Sequence, residues 1–306
     1  MPHPHSTFTL DLPPWFQHRW VLAYLGRDPQ SPSERVDGRT VYLADGGAPP
    51  AENPTAITVE LHDAEARCQL DAPRPLDAER VGAIRRRIRR QLGLVIDPTG
   101  FEARAGHEEL VARLIGDRRG LSIPQTANVF DGLVWVVVGQ QVSLAVAFSL
   151  RRRLTRTYGT RLDHSAIEDL WATPRPETVA GLHIEDLRRL SFSQRKAEYL
   201  LDLARAVVDG SLDLDALHRM EPAQLEETLL ARRGLGPWSV HYLMMRAFGL
   251  PDCVPVGDAA LRRNLKRFFQ LPEAPDKPTV LELMEVFAPH RSLATFHLWA
   301  LDKQSQ

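Results

Sequence analysis

A carboxylate at the head of a helix, downstream of a turn cornered by two glycines, is where this 306-residue chain places residue types that could do chemistry. The stretch 229–263 reads LLARRGLGPWSVHYLMMRAFGLPDCVPVGDAALRR. A short amphipathic helix ends at Gly234-Leu235-Gly236, a second starts at Pro237, and a Pro-Asp loop leads to Asp258 at the start of a third. Glycines let the backbone turn sharply, including left-handed, where a side chain would clash. Pro237 suits a first helical position, where no N–H is needed. The amides left over at that helix start form a concave donor site for an anion such as phosphate. A fixed carboxylate at Asp258 can stabilise developing positive charge, or orient and deprotonate a water. Asp is equally a favoured helix N-cap, and Gly-x-Gly turns also join ordinary helical hairpins. Trp238 and Tyr242 lie four apart on one helix face, which suits either core packing or an aromatic pocket.

The hairpin 234–239 followed by Val254-Pro255-Val256-Gly257-Asp258 resembles the signature of the helix-hairpin-helix/Gly-Pro-Asp superfamily of DNA glycosylases. Within it the chain is similar to the 3-methyladenine DNA glycosylase II type. The likeness extends to Gly139-Gln140-Gln141-Val142-Ser143, to Arg195-Lys196-Ala197 and to Phe296-His297-Leu298-Trp299. It covers most of the chain from about Gly120 onward, and more weakly the N-terminal third. The resemblance implies that Asp258 is catalytic, that Gly234, Leu235, Gly236 and Ser239 contact the DNA backbone, and that Trp238, Tyr242 and His290 line a base pocket. It places Gln140 and Gln141 at the DNA wedge, Gln141 where the best-known bacterial member has an apolar residue. Apolar wedges are the commoner solution; a glutamine can hydrogen-bond the orphaned partner base instead. His290 stands where that member has a pocket tryptophan. An imidazole gaining charge around pH ~6.5 would repel a cationic base, which implies a different substrate preference. Members that also cut the strand carry a Schiff-base lysine at the position of Trp238, which has no amine. The resemblance therefore implies a glycosylase without lyase activity, acting on alkylated bases of the 3-methyladenine and 7-methylguanine class in duplex DNA. A base alkylated on a ring nitrogen is cationic, so aromatic faces attract it by roughly 1–2 kcal/mol when desolvated. It is also an activated leaving group, so one carboxylate can suffice. The target must be extruded from the duplex. The hairpin carbonyls of Arg233 and Leu235 could hold Na+ or K+ bridging to a phosphate, again by resemblance. Two alternatives stay open: a helix-hairpin-helix module that binds damaged DNA without cutting, and a glycosylase for deaminated or oxidised bases, or one with lyase activity.

Composition bounds these readings. Lys and Arg number 38 against 39 Asp and Glu, for a net charge of −1, so the chain is not a globally basic DNA-binder. Its positive charge is clustered and mostly arginine, the residue suited to fork-like phosphate contacts. Two cysteines, Cys68 and Cys253, exclude the four-cysteine iron–sulfur cluster of some relatives and give no disulfide framework. No Cys/His cluster has zinc spacing. Gly-x-Gly follows a helix rather than a strand, against a dinucleotide site. No apolar run has membrane-spanning length, and the start lacks a charged-then-apolar pattern, so no signal peptide is expected. The expectation is a cytoplasmic monomer, nucleoid-associated if the source is bacterial, whose partner is double-stranded DNA containing damaged bases.

The elements that must position these residues read as α+β: an N-terminal antiparallel sheet with helices, then an all-helical core of two lobes. Residues 1–98 form the first domain, 99–124 with 251–306 one lobe, and 125–250 the lobe with the hairpin. Alternation predicts strands at 7–10, 40–44, 57–62 and 66–70, with loops at 30–39 and 46–53. His3 and His5 fall in a Pro-rich, disordered tip. Helices are expected at 15–25 and 77–92, the latter burying Val81, Ile84, Ile88 and Leu92 and turning Arg85, Arg86, Arg87, Arg89 and Arg90 outward, as a solvated face or a distant DNA contact. Further helices are expected at 108–114, 127–138, 143–158, 165–170, 178–181, 193–209, 222–231, from 258 to about 269, 279–287 and 291–301. Ser143 should cap the third of these, with Leu144, Ala147, Phe148, Leu154 and Tyr158 inward. The helix at 193–209 should bury Ala197, Leu200, Leu201, Ala204, Val207 and Val208.

Overall fold

Alternating side chains build the N-terminal sheet of the protein, whose computed structural model describes residues 5–47 and 53–301. Along the chain come β1 (His5–Asp11), α1 (His18–Leu25), β2 (Glu34–Asp37), β3 (Thr40–Asp45), β4 (Thr55–Leu61) and β5 (Glu65–Asp71). They pair antiparallel in the order β1-β5-β4-β3-β2. Val41 faces Val59, which faces Cys68, and Leu43 faces Ile57, which faces Leu70. These six are all buried, so one face of the sheet is core. β2 lies inside the stretch expected to be a loop: a Glu-Arg-Val-Asp edge strand lacks apolar alternation. His5 belongs to β1, with its ring 3.8 Å from the Asp71 carboxylate, rather than to a disordered tip; His3 and residues 48–52 of the expected 46–53 loop lie outside the described residues.

α2 (Ala78–Gln91) buries Ile84 and Ile88 as expected. Its arginines do not simply face solvent. Arg87 bonds the Asp45 carboxylate at 2.7 Å and the Ala44 carbonyl at 2.8 Å, Arg80 joins it on Asp45, and Arg85 stacks 4.6 Å over Phe8. Arg90 donates to the Ala247 carbonyl. Burial lowers the pKa of both Arg80 and Arg90. Arg80, Arg87 and Arg90 are thus tied to the fold, which removes Arg87 and Arg90 from an outward DNA-contacting face, while Arg85, Arg86 and Arg89 are exposed as expected.

The rest is helical: α3 (Thr99–Arg104), α4 (Glu109–Ile115), α5 (Val129–Gly139) and α6 (Leu144–Tyr158), a small pair β6 (Thr160–Arg161) and β7 (Trp171–Ala172), then α7 (Pro176–Ala180), α8 (Ile184–Arg189), α9 (Gln194–Val208), α10 (Leu214–Leu217), α11 (Pro222–Leu230), α12 (Pro237–Arg246), α13 (Ala259–Phe269), α14 (Lys277–Glu285) and α15 (Arg291–Ala300). Residues 165–170, expected as helix, are turns instead. There Leu162, Leu170 and Ala172 pack on Ala44 and Ala56 of the sheet, so tertiary burial rather than helical period sets the segment. Among the described residues no helix is long and apolar enough to cross a membrane.

Two compact units result. One contains the chain up to Pro14, Leu22–Ile88 and Leu133–Leu214; the other contains Trp15–Val21, Arg89–Gly132 and the chain from Asp215. The first holds the sheet, the C-terminal part of α5, and α6 to α9. The second holds the hairpin of α11 and α12, with α13 to α15. In the second unit Gly132 lets α5 approach α12 closely: a Cβ there would meet Leu243 Cδ2 and Ala247 Cβ at 3.0 Å each.

Candidate active site

Asp258 is the N-cap of α13, and its Oδ1 accepts the Leu261 amide at 2.7 Å. Capping is only part of its bonding. The Trp299 indole N–H donates to the same Oδ1 at 3.0 Å, and the Trp238 indole N–H donates to Oδ2 at 3.0 Å. A carboxylate has about four acceptor positions, so Oδ2 retains a lone pair for a water or substrate while the three donors fix the group. The two indoles come from different helices, α12 and α15, and neither could be linked to Asp258 by spacing alone.

Helix α12 carries an aromatic ladder because Trp238, Tyr242 and Arg246 recur every four residues. The Tyr242 ring lies 5.8 Å from Trp238 and 6.0 Å from Trp299, tilted by 40° and 36°. Its hydroxyl accepts from Arg246 Nη1 at 3.0 Å, and the guanidinium lies 5.5 Å from the Tyr242 ring. Arg246 also donates through Nε to the Pro124 carbonyl at 2.6 Å. Burial pushes its pKa down to about 9, which leaves it charged at neutral pH. Tyr242 is therefore held at its tip by a buried cation and has a tilted indole on each side. Trp299 and Arg246 were missed as site residues in the sequence; the four-residue recurrence could have found Arg246, whereas Trp299 stood in a recognised motif without a role.

The hairpin turn works as its glycines suggest. Gly234 has φ 90, the left-handed side of backbone space. Gly236 is the N-cap of α12, with Pro237 behind it in the first turn and no side-chain cap. Leu235 and Ser239 are buried at 5% and 2% exposure, so what this turn offers to a ligand is backbone. Asp258, Trp238, Tyr242 and the hairpin thus come together in one unit.

His290 does not join that group. Its ring lies 5.7 Å from Phe101 and against Gly100, both on α3, and among the described residues it shares no ring contact with Trp238, Tyr242 or Trp299. Burial, then the positive charge of Arg104, lowers its pKa. The imidazole is therefore held neutral rather than drawn toward charge.

In the other unit, Gln140 and Gln141 follow the end of α5. Gln141 has φ 53 and is exposed. Ser143 caps α6 as expected, accepting the Val146 amide. Leu144 does not turn inward: it is 48% exposed, with Val142 at 37% and Val146 at 44%. Apolar side chains therefore flank Gln141 in sequence. Similarly Val208, expected inside, is 52% exposed at the end of α9. Lys196 is buried at 8% exposure and donates to the Val138 carbonyl at 2.6 Å. It supplies a cation to the C-terminal end of α5, whose last turn has no basic residue of its own.

Comparison with known proteins gives the family. Residues 134–289 match the model of the HhH-GPD superfamily base excision DNA repair protein family. A DNA-3-methyladenine glycosylase of Bacillus subtilis is 29% identical over 230 residues, 75% of this chain and 76% of that one. The DNA-3-methyladenine glycosylase 2 of Escherichia coli is 29% identical over 189 residues, 62% of this chain and 63% of that one. The solved 3-methyladenine DNA glycosylase of Archaeoglobus fulgidus superposes with a TM-score of 0.82 at 19% identity, over 97% of this chain and 98% of that chain. That likeness is one of fold. With the family model spanning the sheet-side glutamine turn, the hairpin and Asp258, the chain belongs to the HhH-GPD superfamily of base excision DNA repair proteins.

Proposed function

We propose that the protein is a monofunctional DNA glycosylase that releases alkylated bases of the 3-methyladenine and 7-methylguanine class from duplex DNA. The observation that carries this reading is the Asp258 carboxylate, held by two indole N–H groups beside the Tyr242 ring. When the glycosidic bond breaks, the bonding pair leaves with the base and neutralises its charge. The sugar carbon is left electron-poor. An anionic oxygen fixed nearby stabilises that charge without having to reorganise. Water then adds to the sugar carbon and its proton passes to Asp258 or to solvent. The cationic base needs no general acid, and the rings of Trp238 and Tyr242 favour it over a neutral base. Trp238 has no amine, so no Schiff base forms and the strand stays intact.

The names of the Bacillus subtilis and Escherichia coli relatives, both DNA-3-methyladenine glycosylases, support this substrate class. Gly234, Leu235, Gly236 and Ser239 would bind a DNA phosphate through backbone amides, and Gln140 with Gln141 would fill the gap left by the extruded base. The carbonyls of Arg233 and Leu235, either side of Gly234, are hard oxygen donors suited to Na+ or K+; no step above depends on that ion. His290, neutral and packed on α3, would act at the border of the pocket if at all, so the repulsion of a cationic base expected from a charged imidazole does not arise.

The test is product analysis on duplex oligonucleotides carrying single defined lesions, with borohydride present in a parallel set. Release of 3-methyladenine or 7-methylguanine without a trapped adduct is expected. Damage-dependent binding with no released base would replace the reading with a sensor, and a trapped adduct would replace it with a lyase.

A further inference from the structure

The loop that delivers Asp258 runs from Val254, and its internal bonds make it a small rigid piece: the Val256 amide bonds the Val254 carbonyl at 2.7 Å and the Asp258 amide bonds the Pro255 carbonyl at 3.0 Å. Such a piece is aimed by whatever pins its first residue. The pin is His241, one turn along α12 from Trp238. Its Nδ1 accepts the Val254 amide at 3.2 Å, and its Nε2 lies 3.1 Å from Glu226 Oε1 on α11. An imidazole nitrogen that accepts must carry a lone pair, and a carboxylate can only accept. The neutral ring with its proton on Nε2 satisfies both partners at once, the second bond fixing the tautomer that the first requires. The preceding residue is pinned too: the Cys253 amide donates to Ser292 Oγ at 3.0 Å, and that hydroxyl donates to the Leu250 carbonyl at 2.7 Å.

We infer that His241 is a positioning residue for catalysis: the chain Glu226–His241–Val254 sets the Gly257-Asp258 loop against α12, so that Asp258 meets the indole that the same helix presents. The role is not catalytic: among the described residues His241 makes no hydrogen bond or ring contact with Asp258, Trp238 or Trp299. It rests on the reading of Asp258 as the charge-stabilising acid. One helix then controls the acid twice, through Trp238 at the carboxylate and through His241 at the root of its loop. Misplacement by about an ångström costs on the order of 100-fold in rate, so a single backbone hydrogen bond at the loop root can matter well beyond its effect on folding.

Three variants separate this role from general support. In His241→Asn the amide oxygen occupies the place of Nδ1 and can accept the Val254 amide. In His241→Gln the amide reaches the place of Nε2, keeping Glu226 and losing Val254. His241→Phe loses both. Single-turnover release from a 7-methylguanine duplex, DNA affinity and thermal midpoint are measured for each. The expected result is a rate loss of about tenfold or more for Phe and Gln, with affinity changed no more than about threefold, and recovery of most of the rate by Asn. Equal rates for Asn and Gln, or losses that follow the thermal midpoint alone, would overturn the inference; the Asn and Gln pair answers it even if the Phe variant does not fold. A wild type that releases no base from any lesion sinks the functional reading instead.

Discussion

The acid site and the glutamine turn, one in each compact unit, are held in opposite ways. Asp258 takes three hydrogen bonds from three different elements of its unit, and its neighbour Tyr242 is 7% exposed. Gln141 stands exposed in a left-handed conformation, with exposed Val142, Leu144 and Val146 after it. The end of α5 just before that turn is held by the buried Lys196, which donates to the Val138 carbonyl. A group that must stabilise charge gains from having its dipoles fixed in advance. A group that must enter a duplex has to be exposed before it meets one. The difference predicts that damage to the first region lowers the chemical rate, whereas damage to the second lowers extrusion and binding.

The largest effect is expected from removing both indole donors. Trp238→Phe with Trp299→Phe keeps an aromatic ring at each position and deletes the N–H groups, and single-turnover release should fall by roughly 100-fold with DNA affinity little changed. If affinity fell in step with rate, the two regions would not differ as described. Next comes Gln141→Ala. It should weaken extrusion by about tenfold, read from the fluorescence of a 2-aminopurine beside the lesion, and leave the thermal midpoint within about 1 °C because the side chain is exposed. The loss should shrink when the lesion sits opposite a mismatch, whose base is already easier to extrude. A smaller effect is expected for Leu144→Ser, about threefold in duplex affinity with stability unchanged or improved, since an exposed leucine contributes little to folding. A stability loss of a core kind would show that Leu144 is buried after all.

A further prediction sharpens the comparison from the side of stability. His297 is fully buried on α15, two residues from Trp299, and neither ring nitrogen has a hydrogen-bond partner among the described residues. Burial, then the charge of Arg118, pushes its pKa down to about 3. The unfolded chain therefore binds this proton at a higher pH than the folded one. Stability is unaffected by this group above about pH 6.5 and is lost as pH falls from there toward 3. His297→Leu should flatten that limb of the thermal midpoint against pH. An unchanged limb would place the acid sensitivity elsewhere.

Much of this was legible in the sequence, and the gaps have physical causes. Period-2 alternation revealed β1, β3, β4 and β5, and period 3.6 revealed α2 and α9, because each buries one face; α5 was legible as a continuous apolar run because it is buried on nearly all sides. β2 was hidden since an edge strand of four residues needs no apolar side. Asp258, the hairpin and the glutamine turn were found by local motif, which is how a turn or a cap is encoded. Trp299 and His241 act on the site through contacts between separate elements, which no spacing rule reports, whereas Arg246 sits four residues from Tyr242 on the same helix and was legible by that recurrence. Leu144 misled because its helical position matches the inner stripe, while the first turn of α6 projects beyond the packing that the stripe serves.

The most direct measurement compares Asp258→Asn with wild type in single-turnover release of 7-methylguanine from duplex DNA, alongside the thermal midpoint of each. Asparagine caps a helix as well as aspartate but carries no charge. The expected result is a rate lower by roughly 100-fold or more, with the thermal midpoint nearly kept. A variant that releases the base as fast as the parent, or one whose rate falls only because it unfolds, would contradict the assignment of Asp258 as the charge-stabilising acid.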